Sequence, residues 1–75
     1  MRLWLKKLRN NKELSQQELA TALDISQNYY SNIENGERQK QLSLPLVVRI
    51  AEIFGVSVEW IAEQERQLNK DGGIK

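Results

Sequence analysis

A chain of 75 residues with 11 basic and 10 acidic side chains, a net charge of +1 and neither cysteine nor histidine leaves few kinds of chemistry open. At this length folding buries only about 60% of the unfolded surface, so one small core is expected. Disulfides, thiolate zinc sites and thiol catalysis are excluded, and the commonest general base and transition-metal ligand is missing.

With 40% hydrophobic and 28% charged residues the composition is that of an ordinary globular protein. No stretch approaches the roughly 18 to 20 apolar residues that span a bilayer. Lys6 and Lys7 interrupt the N-terminal run where a secretory signal needs a continuous apolar core. These features predict a soluble, cytoplasmic protein without cofactor or metal.

Charge by segment says more than the total. Residues 1–12 carry Arg2, Lys6, Lys7, Arg9 and Lys12 with no acid, and residues 13–35 carry four acids with no base. Residues 36–49 are basic again, through Arg38, Lys40 and Arg49 against Glu37, and the remainder is acidic. The near-neutral sum hides opposed blocks.

The periodicity is helical throughout. Trp4, Leu5 and Leu8 predict a first helix over about residues 2–12. Ser15 with Glu18 three residues on is a capping box that opens a second helix, whose Leu19, Ala20 and Leu23 share a face. Asp24-Ile25-Ser26 interrupts it, and Ser26 is a second N-cap. The third helix turns Tyr30 and Ile33 inward and stops at Asn35-Gly36. A polar, basic loop over residues 37–43 leads to Pro45, expected at the first position of a fourth helix. That helix is expected to bury Val48, Ile50 or Ala51, and Phe54, and to close at Gly55. Ser57 caps a fifth helix bearing Val58, Trp60 and Ile61. The expected domain covers residues 1–68, with 69–75 a flexible tail.

Function points to residues 16–35, two helices joined by a three-residue turn. A steep crossing needs a small residue at closest approach, and Ala20 supplies it. Gln27, Asn28 and Asn32 then form an uncharged polar face on the third helix. Amide side chains donate and accept together, which suits base edges in the major groove. On a merely solvated helix Glu, Lys or Ala would have better propensity than Gln-Asn-Tyr-Tyr, so surface filler is the weaker reading.

Four blocks carry a resemblance: Leu14-Ser15-Gln16-Gln17-Glu18-Leu19-Ala20, Ile25-Ser26-Gln27-Asn28-Tyr29, Ile33-Glu34-Asn35-Gly36 and Phe54-Gly55-Val56-Ser57-Val58-Glu59-Trp60. In this order and spacing, over residues 2–65, the chain resembles the Xre or phage repressor/Cro type of helix-turn-helix protein. The resemblance implies an all-α, five-helix fold in which helices 2 and 3 form the motif, and a recognition helix over about 26–35. It implies that Gln27, Asn28 and Asn32 reach base edges. Gln16, Gln17, Ser26, Tyr29, Ser31, Asn35, Arg38 and Lys40 then meet the sugar-phosphate backbone, Gln16 also bracing the recognition helix. Arg9 and Glu34 match a structural ion pair. Asp24 stands where glycine is most frequent, Tyr30 where a small aliphatic residue is usual, and Leu42 where some relatives carry a minor-groove arginine.

Other readings of the same residues are blander. Trp4, Leu5 and Leu8 opposite five cations resemble a membrane-surface helix, but such moments are commoner in core-packed helices, with Arg2, Lys6 or Lys7 left near phosphate. Val58, Trp60, Ile61 and Leu68 give the fifth helix more apolar surface than a small monomer needs, which makes Val58, Trp60 and Ile61 candidates for a homodimer contact. A catalytic cleft has no place in so small a helical domain, so no enzyme activity and no small-molecule substrate are expected. The expectation is a transcription regulator, a repressor, binding double-stranded DNA as a homodimer on a palindromic operator. An antitoxin or restriction-modification controller of the same fold, and a protein–protein interaction module, are the alternatives.

Overall fold

The computed structural model describes residues 1–35 and 42–73. Five helices follow one another in chain order: α1 (Leu3–Asn11), α2 (Gln16–Leu23), α3 (Gln27–Asn35), α4 (Leu44–Phe54) and α5 (Val58–Gly73). No strand occurs among the described residues, and the fold is all-α. The chain divides after Ser43 into two compact units. This division, and the continuation of α5 past Leu68, both fall within the stretch expected as one domain with a tail.

Three serines start helices. The Ser15 hydroxyl accepts from the Glu18 N–H at 3.0 Å, while the Glu18 carboxylate accepts from the Ser15 N–H at 2.8 Å. Ser26 accepts from the Tyr29 N–H at 3.0 Å to open α3. Ser57 accepts from the Trp60 N–H at 2.9 Å to open α5. Each satisfies a first-turn donor with no partner inside its helix.

Three left-handed residues stop helices. After α1, Glu13 (φ 57°) donates to Asn10 O at 2.9 Å and Leu14 donates to Arg9 O at 3.1 Å. Asp24 (φ 62°) after α2 repeats the pattern, donating to Thr21 O at 3.1 Å, with Ile25 donating to Ala20 O at 3.0 Å. Gly55 (φ 67°) ends α4, and Val56 donates to Ala51 O at 3.1 Å. This is the Schellman arrangement, which favours glycine at the left-handed position because any Cβ there is strained. Only one of the three is glycine.

The first unit buries Trp4 and Leu5 of α1, Leu19, Ala20 and Leu23 of α2, and Tyr30 and Ile33 of α3. In the second, Leu46, Ile50, Ala51 and Ile61 are buried. The expected α4 core needs two corrections. The helix begins at Leu44, so Pro45 is its second residue, still in the first turn where a missing N–H costs nothing. Val48 lies outside, 39% exposed; it sits about 200° around the helix from Leu46, which takes the inward place. Phe54 is half-buried.

Arg2 corrects another expectation. It is 3% exposed rather than turned to a phosphate. Its Nη1 donates to Ile33 O at 2.7 Å and its own N–H to Glu34 O at 2.8 Å. Carbonyls in the last turn of a helix lack internal donors and sit at the negative end of its dipole. A cation from the start of α1 thus closes the end of α3.

Candidate nucleic-acid interface

On α3, successive side chains turn by about 100°. Gln27, Ser31, Asn35, Asn28 and Asn32 therefore fall, in that angular order, on one arc of about 140°. Gln27, Asn28, Asn32 and Asn35 are exposed and Ser31 is half-buried. Tyr29, 41% exposed, borders the arc. Tyr30 and Ile33 lie away from the arc and Glu34 falls beside its Gln27 edge, and all three are buried. The outward face of the helix carries no charge of either sign, with no acid in the first turn and no base in the last. Its N-terminal dipole is left for an outside anion to meet.

The inward side is held by one carboxylate. Glu34, 2% exposed, draws donors from all three helices of the first unit. Arg9 of α1 gives Nε to Oε2 at 2.9 Å and Nη2 to Oε1 at 3.4 Å. Gln16 of α2 gives Nε2 to Oε1 at 2.6 Å. Tyr30, one turn earlier on α3, gives its hydroxyl to Oε2 at 2.9 Å. The third guanidinium nitrogen, Arg9 Nη1, donates to Leu14 O at 2.8 Å in the α1–α2 connection.

The titrations follow from this geometry. Desolvation, the largest single influence on Glu34, pushes its carboxyl up. Hydrogen bonds from Arg9, Gln16 and Tyr30, with the Arg9 charge, outweigh it and hold the group below the usual carboxylate range. The hydrogen bond to Glu34 raises Arg9 further, against desolvation. Burial first, then the neighbouring carboxylate, drives the Tyr30 phenol well above its ordinary value. The network is ionised carboxylate, guanidinium cation and neutral phenol across the physiological range.

Gln16 is half-buried at the first position of α2, and Gln17 and Ser26 are exposed. Arg38 and Lys40 lie outside the described residues. On α5, Val58 and Trp60 are each 38% exposed, whereas Ile61 is fully buried. Ile61 is therefore a core residue, and its side chain has no surface to offer a second subunit. Val58 and Trp60 stand about 160° apart on their helix. No helix among the described residues is long and apolar enough to cross a membrane.

Two residues of consequence escaped the sequence reading. Arg2 gives no local sign, since its acceptors on α3 are 31 and 32 residues away. The Tyr30 hydroxyl does have one: four residues before Glu34, it shares a helix face with the carboxylate.

The helix-turn-helix family matches residues 5–61, and the chain belongs to that family. It is 38% identical over 61 residues to the HTH-type transcriptional regulator RamB of Mycobacterium tuberculosis, an alignment covering 81% of this chain and 12% of that protein. The control protein C.MunI of a Mycoplasma species is 40% identical over 57 residues, 67% of this chain and 77% of that one. An uncharacterized HTH-type transcriptional regulator of Bacillus subtilis, YqaF, is 51% identical over 39 residues, about half of each chain. No solved structure matches the chain significantly. Membership of this family agrees with the non-enzymatic reading of the sequence.

Proposed function

We propose that the chain is a sequence-specific, double-stranded DNA-binding regulator of transcription, a cytoplasmic repressor that acts as a homodimer on a palindromic operator. The observation that carries this reading is the uncharged amide arc of α3, built on a helix whose inner side is fixed by Arg2 and the Glu34 network. Gln27, Asn28 and Asn32 read base edges in the major groove, where amides pair bidentately with adenine. Gln16, Gln17, Ser26, Tyr29, Ser31 and Asn35, with Arg38 and Lys40 beyond α3, lie along the sugar-phosphate backbone and set position rather than sequence. Two-fold symmetry places the half-sites about one helical turn apart, with Val58 and Trp60 as candidates for the contact between subunits.

Binding to random-sequence duplex DNA across a salt series tests this. Affinity should fall steeply as salt rises, and Lys40→Ala should weaken all sequences alike and flatten the slope by about one. Absence of binding at low salt favours a protein–protein module. A second DNA-binding reading, a control protein, is favoured by the likeness to C.MunI, most of whose length is matched. Binding to DNA immediately upstream of the chain's own gene separates it from a regulator of distant operators.

A further inference from the structure

The proposed DNA contact of Gln16 depends on which way its amide points, and that direction is chosen inside the protein. An ionised carboxylate can only accept. Because Glu34 Oε1 stands 2.6 Å away, the amide must present Nε2, not its carbonyl, to the interior. That bond commits one N–H and leaves the second for an outside acceptor. Gln16 is the first residue of α2, beside the orphan N–H groups of that helix, where an anionic oxygen is best received.

Glu34 has the means to hold this orientation. Its Oε2 is occupied by Arg9 Nε and the Tyr30 hydroxyl, each at 2.9 Å. On Oε1 the Arg9 contact is long, at 3.4 Å, and Gln16 is the strong donor. The charge is met by Arg9, so the Gln16 bond is not needed to neutralise it. What this bond adds is a fixed amide at the edge of the interface.

We infer that Glu34 is a positioning residue for phosphate binding, acting through Gln16: it orients the side-chain amide so that a free N–H meets the DNA backbone. The inference rests on the DNA-binding reading above. Without Glu34 the amide turns freely, presents its carbonyl to phosphate half the time, and makes the contact only in the other half.

A double-mutant cycle on a random-sequence duplex at low salt, a probe that reports backbone contacts alone, tests this. Gln16→Ala should weaken binding about tenfold. Glu34→Gln should weaken it by about twofold, and the double variant by no more than Gln16→Ala alone, because the two residues form one contact. A purely structural Glu34 gives multiplicative losses, and that result overturns the inference while leaving the DNA-binding reading intact. Failure of the wild-type chain to bind at all overturns both. Nitrogen-15 NMR of the wild-type chain needs no folded variant. One Gln16 amide proton should be displaced from its free-glutamine shift in the free protein by the bond to Glu34, and the other should shift on adding the duplex. Two Gln16 amide protons at free-glutamine shifts, unmoved by the duplex, contradict the inference.

Discussion

Glu34 is the residue on which three helices converge, and its ionisation is linked to folding. Its pKa is depressed in the folded state, so the stability it contributes is complete above the unfolded value of about 4.3 and is lost as pH falls through the lower, folded one. Breaking a largely buried pair by removing one charge leaves Arg9 uncompensated. Glu34→Gln should therefore cost about 2–4 kcal/mol at pH 7. Urea unfolding of both proteins between pH 7 and pH 2.5 checks the linkage. The wild-type advantage should be constant down to about pH 5 and shrink below it; an advantage that persists undiminished in acid contradicts the assignment. The same residue shows why the charge of residues 1–12 overstates the cations available to DNA. Arg9 is spent on Glu34 and Arg2 on the α3 carbonyls, which leaves Lys6, Lys7 and Lys12.

At the scale of the element, helix starts and stops explain how little of this fold depends on long-range chance. Replacing the Ser15 hydroxyl with Ser15→Ala removes the acceptor for the Glu18 N–H and should cost about 1 kcal/mol, read as a lowered thermal midpoint. Glu13→Gly should do the reverse. A left-handed non-glycine residue costs about 1–2 kcal/mol, partly offset by the extra unfolded-state freedom of glycine, so a net gain of up to about 1 kcal/mol is expected. Calorimetry showing destabilisation would mean that the Glu13 side chain has a compensating partner. These local devices are also what the sequence displays openly. The caps at Ser15, Ser26 and Ser57 and the stops at Asp24 and Gly55 act over three to five residues, and all are readable from spacing. Glu13 was missed because glutamate is no ordinary left-handed residue. Val48 was misplaced because Leu46, about 200° around the helix from it, takes the inward place and was not among the expected core residues. Arg2 was unreadable because its partners lie 31 and 32 residues away in sequence.

At the scale of the molecule, the net charge of +1 takes on a definite sense. Cations in residues 1–12 and 36–49 flank in sequence the proposed recognition helix, whose outer face has no charge at all. Local positive charge attracts phosphate, while a small total avoids tight retention on every sequence. The proposed homodimer adds a constraint. With Ile61 buried and Val58 and Trp60 on opposite sides of α5, one flat contact takes only one of the two. Sedimentation of Val58→Lys and Trp60→Lys should find one variant monomeric and the other dimeric; two unchanged dimers would place the contact elsewhere.

The central claim is that the amide arc of α3 reads bases, and selection from a random duplex library by wild-type, Gln27→Ala and Asn28→Ala proteins tests it most directly. The wild-type chain should recover a two-fold symmetric site with half-sites about one turn apart. Each variant should lose about 1–3 kcal/mol on that site and relax its preference at one base pair of each half-site. Recovery of the same sequence preference by all three proteins would contradict it.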